Sequence, residues 1–182
     1  MYRCTIRHSI SLCFALLTLS ACGAKENFNV EKEITRFYTH QSAFEALAKT
    51  GCEAKEALNT GFFRYPRDVV GEEPEHIQQY FTDIQRLLDS IGLKNIVLRS
   101  YREEDIECSI FVIISVFSFI ADGYDFGYWY RPAEHGTYEY TEGFFSQEAN
   151  EYRNANRIRG EEPVRFSIEL KSEWYLHYHN YP

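Results

Sequence analysis

The sequence predicts an α+β domain, with two main N-terminal helices packed on one face of an antiparallel sheet of about five strands. Three observations carry this expectation. Apolar residues recur at helical spacing between Ile34 and Ile91. From Asn95 onward the pattern changes to runs of β-branched and aromatic residues bounded by polar or glycine-containing turns. The gaps between the first three runs are too short for helical crossovers and fit hairpins.

The first helical stripe is Ile34, Phe37, Tyr38, Phe44 and Leu47, with Glu31 and Glu33 in the opening turn, where acids suit the helix dipole. Gly51 is expected to end or interrupt it, and Cys52–Leu58 to add a further turn. A loop, Gly61 to Asp68, follows. The second helix is the clearer one. Pro74 can occupy its first turn. Ile77, Tyr80, Phe81, Ile84, Leu87, Leu88 and Ile91 form its apolar face, and Gly92 stops it. The strands are then read as Ile96–Tyr101, Ile106–Ile120, Phe126–Arg131, Arg165–Leu170 and Trp174–His179. Gly123 and Asp125 mark a turn, and the last two strands form a hairpin around Lys171-Ser172-Glu173. The run Ile106–Ile120 has only 15 residues and contains Glu107 and three serines, which suits a central strand rather than a membrane span. The segment 133–160 is polar and irregular, with a short helix around Ser146–Asn156.

Ahead of this domain lies a segment of a different kind. Arg3 and Arg7 precede an apolar run, Ile10–Ala21, of 12 residues interrupted by Ser11, Thr18 and Ser20. About 20 apolar residues are needed to span a bilayer, so the run has the length of a secretory signal instead. It ends in Leu19-Ser20-Ala21-Cys22, which resembles the lipobox of bacterial lipoproteins. That resemblance implies cleavage before Cys22 and acylation of its thiol, usually with a further chain on the new amine. Gly23, in place of the aspartate that signals inner-membrane retention, resembles the class sorted to the outer membrane. The implied organisation is a signal peptide over 1–21, a lipidated N-terminus and short tether over 22–27, and a single α+β domain over 28–182. The implied location is the outer membrane, with the domain facing the periplasm.

The chain carries 19 basic and 27 acidic residues, a net charge of −8, and loss of the signal removes two arginines and no acid. Such a chain does not bind nucleic acid through general electrostatics. Anionic lipid repels it too, so acyl chains must hold it at the membrane. The acidity suits a basic protein partner, although a solvated surface is the commoner explanation for such a charge. Of five cysteines, Cys4 and Cys13 leave with the signal and Cys22 carries lipid. Cys52 and Cys108 remain in a compartment that permits oxidation and most simply pair, the alternative being two separate buried thiols. No Cys-x-x-Cys is present, which argues against a redox enzyme or zinc ribbon.

Three constellations are candidate sites. The aromatic run Tyr124–Tyr130 alternates, with Phe126, Tyr128 and Tyr130 on one side and Trp129 on the other. A row of rings on an uncovered side would suit a sugar or protein partner. The competing reading packs one side under the helices and the other under segment 133–160. Arg64 and Arg67, beside Tyr65, could grip a carboxylate or phosphate, or could be salt-bridged within their own loop. His177 and His179, two apart on a strand, could address one metal ion from the same side, with His135 or a carboxylate as third ligand. The simpler reading is a pair of partly exposed polar residues on the last strand. The acid pairs Glu72-Glu73, Glu103-Glu104 and Glu161-Glu162 sit in expected turns and read as solvated surface. No nucleophile, phosphate-loop or metalloprotease motif is present, and no cofactor is expected.

These readings favour a non-enzymatic, lipid-anchored protein that works by protein contact, as an immunity-type inhibitor of a secreted toxin. Alternatives are an accessory of an envelope complex, and a metal-binding or hydrolytic module built on His177 and His179. The anchor is directly testable: Cys22→Ala should move the protein from the membrane to the soluble fraction, and unchanged fractionation would refute the lipoprotein reading.

Overall fold

In the computed structural model the described residues are 28–71, 73–101, 106–119, 122–133, 140, 144–145 and 164–181. The signal segment, Cys22 and the tether, Glu72, Glu103, Glu104, His135, Glu161, Glu162 and the expected helix at 146–156 lie outside them. Helices α1 (Val30–Thr39), α2 (Gln41–Leu58) and α3 (Glu75–Ile91) join strands β1 (Phe62–Tyr65), β2 (Asn95–Tyr101), β3 (Ile106–Phe119), β4 (Asp122–Tyr130), β5 (Val164–Glu169) and β6 (Trp174–Tyr181). The class is α+β, as the sequence predicts, with one six-stranded sheet in the order β1-β2-β3-β4-β6-β5. Every pairing is antiparallel.

The first helical stripe is two helices, and the break comes at His40 rather than Gly51. The Thr39 hydroxyl bonds back to the Thr35 carbonyl at 2.8 Å, an alternative partner that bends helices. His40 then leaves helical geometry at φ −116° and ψ 24°. The turn brings the buried rings of Phe37 and Phe44 within 4.9 Å of each other. Gly51 continues α2 because of what it faces. A Cβ there would lie 2.8 Å from Ile110 Cδ1 and 3.2 Å from Leu98 Cδ2, so the missing side chain lets helix and sheet approach closely. Beside it, Cys52 and Cys108 are disulfide-bonded.

Helix α3 follows the predicted stripe and stop. Gly92 takes the left-handed conformation at φ 72°. Its N–H bonds to the Asp89 carbonyl at 3.1 Å and that of Leu93 to Leu88 at 2.9 Å. This is the Schellman pattern, and Leu93 is buried as its apolar partner.

The sixth strand is β1, in the segment expected as loop. Phe63 pairs with Leu98 and Tyr65 with Ile96. Phe63 stacks on Phe81 of α3 at 5.4 Å, and Phe62 points the other way, 46% exposed. Four residues between Gly61 and Pro66 carry too short an alternation to read as a strand. Gly123 and Asp125 also differ from expectation: both belong to β4, opposite Ser118 and Val116 of β3. A bulge between Ile113 and Ser115 of β3 shifts this register.

The core lies between the helices and one sheet face, where Ile96, Leu98, Ile110, Val112, Phe126, Tyr128, Trp174 and Leu176 are buried. Tyr128 crosses it, and its hydroxyl donates to the Glu33 carbonyl at 2.8 Å and to the Glu33 carboxylate at 2.9 Å. Arg36 closes this group with a 2.6 Å ion pair to Glu33, so the buried acid is satisfied. Phe28, Phe144 and Phe145 extend the same core over Phe166 and Tyr178. The described part of segment 133–160 therefore packs on the helix side, not on the opposite side as expected.

The disulfide spans 56 residues. In the chain-entropy model a loop of that length contributes about 4 kcal/mol. Cys52→Ala/Cys108→Ala should accordingly lower unfolding stability by about 2–5 kcal/mol in a denaturant titration, while chemical reduction of that double variant should change nothing further.

Candidate functional site

The sheet face turned away from the helices mixes polar groups with Val97, Phe111 and Trp129, where the other is nearly all apolar. On β4, alternation places Asp125, Gly127 and Trp129 there; on β6, Tyr175, His177 and His179; on β5, Arg165 and Ser167. Trp129 Nε1 donates to Ser109 Oγ at 2.7 Å, and Ser109 donates to the Tyr130 carbonyl at 3.1 Å. The Arg99 guanidinium lies over the Trp129 ring, 5.9 Å from its centroid. The His177 ring meets the Trp129 ring edge-on at 4.6 Å. Ser167 Oγ is 2.9 Å from His177 Nδ1.

Asp125 and His179 are direct cross-strand partners, and His177 faces Gly127. A Cβ at Gly127 would lie 2.2 Å from the Val112 carbonyl oxygen and 2.9 Å from the Phe111 ring. No larger residue fits there, and the space beside His177 stays free of a β4 side chain. One donor atom each from Asp125, His177 and His179 lies within 4.8 Å of the other two. Burial pushes the Asp125 carboxyl up to about 6, with Arg99 opposing, and pushes His179 down to about 4, with Arg165 adding to the effect. At neutral pH the cluster therefore holds one carboxylate and a neutral His179.

A second feature is a cleft of about 980 Å³ at the end of the sheet where β3 begins and β4 ends. Glu45, Glu53 and Glu56 of α2 line it with Glu107, Glu173, Lys49, Lys55, Tyr130 and Arg131, and the disulfide forms part of its wall. Arg131 grips Glu173 through two nitrogens, at 2.9 and 2.7 Å. Gln41 donates to Glu45 at 2.7 Å and Ser172 at 3.1 Å, and these bonds, Gln41's above all, hold that carboxyl below the usual range.

The residues singled out from sequence separate accordingly. Tyr128 is a core residue and offers no surface ring. Tyr130 lines the cleft, and Trp129 belongs to the far face. Arg64 is bound within its own loop by Asp68, with Nε at 3.2 and 3.1 Å from the carboxylate, and Arg67 is exposed. His177 and His179 do share a side, and Asp125 supplies the carboxylate that joins them. Asp125 was hidden because an aspartate two residues from a glycine on either side reads as part of a turn. A polar residue at an alternating position within a run of aromatics was the available signal. Arg99 and Ser167 carried none. No protein-family model, curated protein or solved structure matches the chain.

Asp125 and His179 have opposite effects on acid stability. Asp125 has a raised folded value, so it binds its proton more tightly when folded, and stability rises as pH falls from about 6 toward 4. His179 has a lowered folded value, so stability is lost as pH falls from about 6.5 toward 4. Among the described residues the charged neighbours facing the pair are Arg99 from β2 and Arg165 from β5, with His177 beside them on β6. Relative to wild type, Asp125→Asn should steepen acid destabilisation across pH 4–6 and His179→Gln should flatten it. Denaturation midpoints measured at several pH values would show slopes of the same sign if this pairing is wrong.

Proposed function

We propose that this is a lipid-anchored envelope protein that works by contact, presenting the acid-lined cleft to a basic protein partner. Within that class the favoured role is an immunity-type inhibitor of a secreted toxin. The observation that carries the reading is where the backbone is strained. Asn59, Arg131, Ser172 and Glu173 are the non-glycine residues with positive φ among those described, and all four line the cleft. Ser172 and Glu173, at φ 54° and 64°, occupy the two central positions of the β5–β6 turn, where Asn-Gly is the preferred pair. Asn59 takes this conformation as the cap of α2, as asparagine readily does; each of the other three costs about 1–3 kcal/mol unless its surroundings hold it, and such residues cluster at functional sites. Here the holding contacts are charged or polar, and they fix Glu173 and Glu45 in place at the rim.

Two further features support the anchored orientation. Phe28, six residues after Cys22, packs on Tyr124 at 5.2 Å and Phe126 at 5.0 Å. The described chain therefore begins near the sheet end where β3 ends and β4 begins. Val116 and Phe117, 57% and 50% exposed, are near that end. The cleft is at the opposite end of β3, whose 14 residues span roughly 40 Å. An acyl-anchored chain in this orientation holds its cleft away from the bilayer, where an incoming protein meets it first.

The test uses the product of a toxin gene neighbouring this one. Co-expression should protect cells, and Glu53→Lys/Glu56→Lys should weaken the purified complex at least tenfold while leaving stability within about 0.5 kcal/mol, as surface changes usually do. An isolated gene whose deletion sensitises no cell to its siblings would remove the inhibitor reading in favour of an envelope accessory.

A further inference from the structure

We propose that Asp125, His177 and His179 form a binding site for one divalent first-row transition-metal ion, of the zinc class. Two imidazoles and one carboxylate make a donor set suited to zinc and its neighbours rather than to calcium or magnesium, which take oxygen ligands. The donors come from adjacent strands in fixed register, with Asp125 directly opposite His179. The three atoms lie within 4.8 Å of one another. Bonds of about 2.0–2.1 Å in a tetrahedral site bring such donors to roughly 3.4 Å apart. Closing the cluster on an ion therefore needs a movement of about 1 Å per donor, within the reach of side-chain torsions.

Three further observations fit an ion at this place. Asp125 Oδ1 is buried with no hydrogen-bond partner among the described residues. A buried carboxylate oxygen without compensation is costly, and a cation supplies that compensation. Ser167 Oγ sits 2.9 Å from His177 Nδ1. When Nδ1 donates to Ser167, the lone pair is on Nε2, which is the outer-shell arrangement that orients metal-bound histidines. Gly127, opposite His177, adds no side chain between the donors. Among the described residues the ligand count is three, the number that protein side chains supply in reactive zinc sites.

This inference is independent of the cleft and of the anchor. The test is titration of the full chain, stripped with chelator and held in detergent, with zinc by calorimetry and with cobalt by visible absorption. One ion per chain is expected. Asp125→Asn and His179→Gln, both close in shape to the native residues, should each weaken binding at least tenfold with unchanged far-ultraviolet circular dichroism. Ser167→Ala leaves all three donors in place and should weaken binding about tenfold, which keeps the proposal testable if the other variants fail to fold. Absence of stoichiometric binding by wild type would overturn the proposal. So would binding that survives all three substitutions, since it would then belong to other histidines.

Discussion

The contact of α2 with β2 and β3 sets the geometry of the rest of the molecule. Gly51 lets the helix settle against Leu98 and Ile110, and the next residue is covalently joined to β3 through Cys108. A side chain at residue 51 would push the helix outward, and the adjacent bond would resist that displacement. The two constraints thus fix both the height and the position of α2 above the sheet. Its face from Glu45 to Glu56 then forms one wall of the acidic cleft. Its amino-terminal end delivers Phe44 to Tyr128 and Trp174, with ring centroids at 4.6 and 5.3 Å. The short helix α1 is located separately, by the Tyr128 hydroxyl reaching Glu33 across the core.

The two sheet faces do different work. The helix side is nearly all aliphatic and aromatic, and its buried polar group, Glu33, is matched by Tyr128 and Arg36. The far side buries Ser109 and His177 among rings and charges. Its desolvation shows in Asp125 and His179, whose proton affinities move in opposite directions. Stability is thus concentrated on one face, and groups able to exchange protons or coordinate an ion are gathered on the other.

Most of this architecture is legible in the residues, for identifiable reasons. Helix α3 has seven apolar positions on one stripe and a glycine stop, so local and tertiary preferences agree. Strands β2 to β6 have β-branched or aromatic alternation long enough to read. Cys52 and Cys108 were the cysteines left once the N-terminal segment was set aside. What escaped depended on partners distant in sequence. Gly51 reads as a helix terminator until Ile110 and Leu98 are known to face it. Phe62–Tyr65 reads as loop until Phe81 stacks on Phe63. Asp125 reads as a turn residue until β6 brings His179 beside it, and His179 alone gave no direction for a third ligand. The placement of β6 inside β5 could not be inferred from the hairpin, because either strand of a hairpin can face the existing sheet.

That placement has a consequence for how the molecule assembles. Strands β2, β3 and β4 form a meander whose closures are short, whereas β6 must find β4 across more than forty intervening residues. Closing a longer loop costs more chain entropy and delays the pairing it permits. Asp125 meets the two histidines through that late pairing alone. Folding intermediates with the meander and disulfide in place would still lack the cluster, so its assembly would report the final step of sheet completion.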